Sequence, residues 1–213
     1  MSVLLHIDSS PLGSASISRT LSAAYVEAWQ KAHPEGHVIT RDLTTSPLSV
    51  LDATWVAASF APPEARTPEQ NDALAFSDIL INELRTADEY IIGVPMHNFT
   101  IPGALKLWID QIARRGETFS YATGSPVGTL VNKKATFIVA SGAVYGPGSA
   151  MASYNFVEPY LRTVFGFLGV SDIHFHLAGD AKSVALGQVD RDEFLRTHVN
   201  ALSSRLQVAQ PVA

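Results

Sequence analysis

Five serines fall within the ten residues Ser9–Ser18, at positions 9, 10, 14, 16 and 18. A buried-strand pattern, Val3–Asp8, runs into this loop, and a helical stripe follows it: Leu21, Ala24, Tyr25, Ala28 and Trp29. That stripe has the spacing of a core-facing helix. A small-residue loop opening a helix gathers hydroxyls and unpaired backbone N–H groups around one point, at the positive end of the helix dipole. This is the chemistry of a phosphate site. An ordinary N-cap with an entry loop accounts for the same residues, and the loop alone does not separate the two. Two further segments leave strand ends with unusual residues: Pro95–Gly103 and Ser141–Gly148. The first strand is not followed by Gly-x-Gly-x-x-Gly, and there is no Walker lysine, so a dinucleotide fingerprint and nucleotide hydrolysis are both disfavoured.

The elements that must position these loops alternate along the chain. Val3–Asp8, His37–Asp42, Glu89–Pro95, Lys134–Ala140 and Asp172–Leu177 read as strands, several with apolar centres. Ser16–His33, Pro68–Arg85, Phe156–Leu168 and Arg191–Leu206 read as helices. Another helix starts at Pro102, with Leu105, Trp108, Ile109 and Ile112 inward. The segment Thr44–Thr67 is irregular and punctuated by prolines. It predicts a surface cover carrying a short helix around Ala53–Phe60. The fold class is therefore α/β: a doubly wound, five-stranded parallel sheet with helices on both faces. In the strand order 2-1-3-4-5, the loops after the first, third and fourth strands open at one mouth, where such sheets bind ligands.

Composition bounds the rest. With 213 residues, one domain spanning 1–213 is expected. Charged residues make up 16% of the chain, below the roughly 25% usual for globular proteins, which predicts surface buried in an oligomer as well as in a core. The net charge of −5, with no basic block, argues against nucleic acid. The chain has no cysteine, which excludes disulfides, thiolate metal sites and cysteine nucleophiles. The longest uncharged stretch, Ala135–Val157, is broken by Gly146-Pro147-Gly148 and does not read as a membrane span. The first residues enter a strand pattern without a secretory leader's basic and apolar regions, so a soluble cytoplasmic protein is the expectation.

Several segments resemble the FMN-dependent NADH:quinone oxidoreductases, also called azoreductases. They are Ser9-Ser10 through Ser16-x-Ser18, Pro95-Met96-x-Asn98-Phe99 with Ile101-Pro102, Lys106-x-Trp108-Ile109-Asp110, Gly116-Glu117-Thr118-Phe119, Gly124-Ser125-Pro126-Val127-Gly128, and Pro159-Tyr160-Leu161 with Phe165–Val170. They are collinear with that family over nearly the whole chain. The resemblance implies a flavodoxin-like fold, bound FMN, NADH or NADPH as hydride donor, and a quinone or azo compound as acceptor in a ping-pong cycle. It also implies a homodimer. Ser10, Ser16 and Ser18, with the backbone of Ile17, would hold the FMN phosphate. Met96, His97, Asn98 and Phe99 would line the ring through backbone amides and side-chain contact. Ser141, Gly142, Ala143 and Val144 would close its other side, their N–H groups favouring the reduced cofactor. No side chain is required as nucleophile or obligatory base.

This chain departs from the family pattern twice. His97 stands where Tyr is common; a histidine in place of tyrosine predicts a pH-dependent acceptor rate, while its backbone N–H stays available. Ser141–Val144 stands where a Ser-Arg-Gly-Gly-like run is common, so an arginine is missing at the mouth.

His174-x-His176 puts two rings on one strand face but supplies too few ligands for a metal. Serine, histidine and aspartate all occur without a Gly-x-Ser-x-Gly elbow, so a hydrolase triad is disfavoured. Phe119 and Tyr121 suit either core packing or a face toward the flavin across a dimer interface. Two alternatives remain: an electron-carrier flavodoxin, and an α/β domain whose serine loop takes a different phosphate ligand.

Overall fold

The computed structural model describes residues 1–121 and 124–208; the last residues of the expected 1–213 domain, 209–213, lie outside them. The strands are β1 (Val3–Asp8), β2 (His37–Asp42), β3 (Glu89–Pro95), the short pair β4 (Phe119–Ser120) and β5 (Val127–Gly128), then β6 (Lys134–Ala140) and β7 (Asp172–Ala178). The helices are α1 (Ile17–Ala32), α2 (Ala53–Phe60), α3 (Pro68–Thr86), α4 (Gly103–Ile112), α5 (Val157–Phe167), α6 (Ala181–Ala185) and α7 (Arg191–Val208). The main sheet runs β2-β1-β3-β6-β7 with every pairing parallel. This is the 2-1-3-4-5 order expected.

Period-two alternation divides the sheet between two helical layers. Leu5 and Ile7 of β1 join Tyr90, Ile92, Phe137 and Val139 in a core shared with α3, α4 and α5. Leu4, Ile91, Ile138 and Ala178 face the other way, against Leu21, Tyr25 and Trp29 of α1 and Leu195 and Leu202 of α7. The predicted stripe Leu105, Trp108, Ile109 and Ile112 is buried throughout. Helix α3 opens on a full capping box, with Thr67 and Gln70 satisfying each other's backbone N–H groups.

The structure differs from the sequence pattern in four places. Pro102 is the N-cap of α4, one residue outside the helix rather than in its first turn. The Thr44–Thr67 segment carries its short helix where expected, as α2, but that helix is packed down: Asp52 caps it, and Trp55 and Ala58 pack on Leu74. The β4–β5 hairpin was not foreseen. Its partner is backbone: a Cβ built on Gly128 would lie 2.1 Å from the Gly169 nitrogen, so only glycine lets the hairpin sit against the end of α5. Helix α6, also unforeseen, follows β7 directly. Among the described residues no helix is long and apolar enough to cross a membrane.

Candidate functional site

The site begins under β1. Gly93 of β3 carries no side chain because a Cβ there would meet Asp8 Oδ1 at 2.8 Å and the Ser18 carbonyl at 3.3 Å. Helix α1 therefore lies close on the sheet, and Ser9 Oγ donates to the Gly93 carbonyl at 2.7 Å. Ser16 caps α1, accepting from Arg19 N–H at 3.3 Å. The first amides of that helix, Ile17 and Ser18, have no carbonyl one turn back to bond.

Arg19 holds the loop from behind. Its Nε donates to the Ser10 carbonyl at 2.7 Å, and its other nitrogens reach Asp8 at 3.4 Å and Asp42 at 2.7 Å. The hydrogen bond from Arg19, helped by those from Thr44, holds the Asp42 carboxyl down to about 2 against the opposing effect of partial burial. A carboxylate depressed on folding contributes stability above its unfolded value, near 4, and loses it as pH falls through about 2. We expect Asp42→Asn to flatten the wild-type loss of stability between about pH 4 and 2. The exposure of the pair limits the effect to about 1 kcal/mol. Urea midpoints against pH test this; parallel acid limbs for both proteins would contradict it.

Ser22, His6 and Asp8 also meet here, but not as a hydrolase triad. Ser22 Oγ donates to Asp8 Oδ1 at 2.9 Å and lies 3.0 Å from His6 Nε2, fully buried. His6 turns the same nitrogen, Nε2, toward Ser22 and toward Asp8 Oδ2 (3.5 Å), and Ser22 bonds Asp8 directly, whereas a triad needs the histidine to bridge the two through both its ring nitrogens.

Above this base lies a cavity of about 590 Å³, within the size range of ligand pockets. It brings together Ser10, Ser16, Ile17, Met96, His97, Ser141 and Gly142 of the residues singled out from sequence. Ser10 is buried, and among the described residues its hydroxyl accepts one long bond, from Leu12 N–H (3.4 Å), and donates none. Four sequence candidates lie outside the wall, and one lies behind it. Ser18 is fully buried, its Oγ 3.2 Å from that of Ser16, so it steadies Ser16. Asn98 and Phe99 form the exposed corner of a tight turn, with φ of 48° and 71°. Ala143 follows Gly142 away from the cavity, and Val144 lines a neighbouring cleft of about 320 Å³ that shares Met96 and Ser141 with it.

The expectation that His97 offers its backbone N–H is not met. That group donates to the Thr100 carbonyl at 2.9 Å, and Thr100 N–H returns a bond of 3.1 Å. Two consecutive left-handed residues make this a type I′ turn, which closes on its own ends. Met96 N–H and Ser141 N–H are spent likewise, on Ala140 and Ala178 carbonyls, because the parallel ladders continue one residue past the strands. Among the described residues of these two loops, the N–H groups of Asn98, Phe99 and Gly142–Val144 make no backbone hydrogen bond.

Sequence reasoning missed the outer wall. Ala181, Val184 and Ala185 of α6 line it, together with Arg191 at the start of α7. Phe119 is half-buried against Phe167, and Tyr121 is exposed beside it. His174 pairs with Asp172, and His176 with His198. Among the described residues no group of three or more His, Cys, Asp or Glu is arranged to hold a metal.

The cavity fits a flavin mononucleotide. Unspent donors at the loop end suit a phosphate, and the small, largely apolar walls of Ala140, Gly142, Ala181 and Ala185 suit a planar ring.

A family profile described as flavodoxin-like fold matches residues 2–206. The FMN-dependent NADH:quinone oxidoreductase of Acidobacterium capsulatum is 53% identical, over 92% of this chain and 94% of that protein. FMN-dependent NADH:quinone oxidoreductase 3 of Burkholderia lata is 50% identical, over 93% and 96%. The FMN-dependent NADH-azoreductase of Bacillus anthracis, solved in complex with FMN, superposes with a TM-score of 0.86 at 23% identity, over 99% of this chain and all of that one, a likeness of fold. The strand order, the serine loop under the cavity and these relatives agree: the chain belongs to the flavodoxin-like family of FMN-dependent NADH:quinone oxidoreductases.

Proposed function

We propose that this protein is an FMN-dependent oxidoreductase passing two electrons from NADH or NADPH to quinones, and to azo compounds with cleavage of the azo bond. The observation that carries the reading is a cavity that joins the cap of α1 to the ends of β3 and β6. Bound there, FMN supplies the redox chemistry; the protein binds, orients and shields it.

Ser10 and Ser16 would donate hydroxyls to the phosphate and Ile17 its backbone N–H, with Ser18 behind them holding Ser16 in place. Met96 and His97 flank the ring on one side, with the Asn98–Phe99 corner beside them. Ser141 and Gly142 flank it on the other, with the amides of Ala143 and Val144 next in line. Donors held by folded backbone need no rearrangement as charge develops on the ring edge. No side chain acts as nucleophile or obligatory base. If donor and acceptor use this one cavity in turn, the kinetics would be ping-pong.

A homodimer is part of the proposal, as is a single domain acting in the cytoplasm, where the nicotinamide donor is supplied. In support of the dimer, exposed Val56, Phe60 and Tyr121 share a cleft with Trp55 and Phe119, and Val127 and Phe167 lie alongside. A contiguous apolar patch of this kind marks an interaction surface.

The test is reconstitution with FMN, desalting, and anaerobic oxidation of NADH and, separately, of NADPH, with and without menadione. We expect retained flavin, menadione-dependent turnover, and parallel double-reciprocal lines. Retained flavin with neither nicotinamide oxidised would mean an electron carrier. Loss of the flavin would remove the phosphate reading of Ser9–Ser18.

A further inference from the structure

The N-terminus of α1 offers a phosphate only a partial positive charge, and the arginine nearest the loop adds no net charge to it. Arg19 lies under the loop but is shared between Asp8 and Asp42, one positive charge against two negative. The side-chain charges beneath the phosphate end therefore sum to one negative, opposed there only by the N-terminus of α1. Among the described residues lining the cavity, the only arginine or lysine is Arg191.

Arg191 is oddly placed for a structural residue. It is the first residue of α7, at the positive end of that helix, where a cation is disfavoured. Its neighbours Asp192 and Glu193 are of the sign that a helix start prefers, and none of the three acids Asp190, Asp192 and Glu193 lines the cavity. The side chain is half-buried and reaches back to the serine loop. One terminal nitrogen donates to the Ser14 carbonyl at 3.2 Å and to Thr20 Oγ1 at 3.1 Å. Among the described residues, no acceptor engages its Nε or its second terminal nitrogen. A planar guanidinium fixed by one edge, with the rest unspent beside a cavity, is preorganised to take phosphate oxygens.

We propose that Arg191 is the phosphate anchor of this site and the residue that selects a phosphorylated flavin over an uncharged one. The proposal rests on the reading of the cavity as a flavin site. It assigns α7, through its first residue, a share in binding that the serine loop does not complete alone.

The test is fluorescence titration of the flavin-free protein with FMN and, separately, with riboflavin, for wild type, Arg191→Gln and Arg191→Lys. Each is measured at low and high salt. We expect Arg191→Gln to weaken FMN about 10- to 100-fold, the usual effect of losing a charge-assisted bond, with riboflavin affinity unchanged. Arg191→Lys should recover part of the loss, and the salt dependence of FMN binding should flatten in Arg191→Gln alone. Equal weakening of both flavins would overturn the proposal and make Arg191 a latch for the loop. Unchanged FMN binding in Arg191→Gln would also overturn it. Failure of the wild type to bind either flavin would bring down the reading of the cavity, and the proposal with it.

Discussion

Ser16→Asp is expected to abolish practical FMN binding while leaving the fold intact. Ser16 lines the cavity and caps α1 through Arg19 N–H. Aspartate caps a helix about as well as serine, so folding stability should change by less than about 0.5 kcal/mol. The new carboxylate would face a phosphate dianion. Like charges about 4 Å apart repel by several kcal/mol at the effective dielectric of a partly open site, so Kd should rise at least about 100-fold. Ser16→Ala separates the two roles: it should lose about 1 kcal/mol of stability with the cap and weaken FMN only about 10-fold. Equilibrium dialysis and thermal melts of the flavin-free proteins give both numbers. Tight FMN binding by Ser16→Asp would place the phosphate elsewhere.

The second large effect is expected at Trp108, which touches no ligand. It is fully buried, stacks on Phe165 at 6.3 Å, and sits where α4, α5 and the sheet meet. Trp108→Ala should cost about 3–5 kcal/mol, a large share of the 5–15 kcal/mol typical of a whole domain. Among the described residues the indole Nε1 has no hydrogen-bond partner. Trp108→Phe removes that unsatisfied donor along with part of the volume, so the two effects offset and the cost should stay below about 1.5 kcal/mol. The contrast between the two variants is what identifies packing as the cause. Urea unfolding with unchanged m-values measures it; similar costs for both would show that the indole N–H matters in a way its surroundings do not explain. Because α4 follows directly on the Asn98–Phe99 turn, Trp108→Ala should also weaken FMN without altering a single lining residue.

The sheet was legible because its strands are covered on both faces. Glu89–Pro95 and Lys134–Ala140 carry apolar centres that only a parallel, doubly covered sheet explains, and the structure keeps those boundaries. The loop end of the site was legible for a similar reason: serines before an amphipathic stripe have few local alternatives. The outer wall was not. Helix α6 is five residues long, too short to show a stripe, and its place at the cavity depends on β7 lying beside β6. Arg191 reads as the start of a closing helix; its one hint was a cation at a helix start otherwise furnished with acids. The fate of His97 N–H was hidden because asparagine suggests a left-handed turn residue and phenylalanine does not. The Phe99 ring, packed 5.5 Å from Tyr154 and 6.3 Å from Tyr145, helps to hold that strained corner.

The cavity draws on residues 10–17, 95–97, 140–142 and 181–191, segments far apart in the chain but adjacent through three parallel strand pairings. Each pairing must close a long loop before it gains any contact, which makes such sheets slow to form. No partial assembly of strands would present the whole wall. Flavin capture would thus come at the end of folding rather than guide its start, and the cofactor would stabilise only the finished sheet by mass action. In a cell short of flavin, the chain would still fold to this shape but sit lower in stability, with more of it open to proteolysis at any moment.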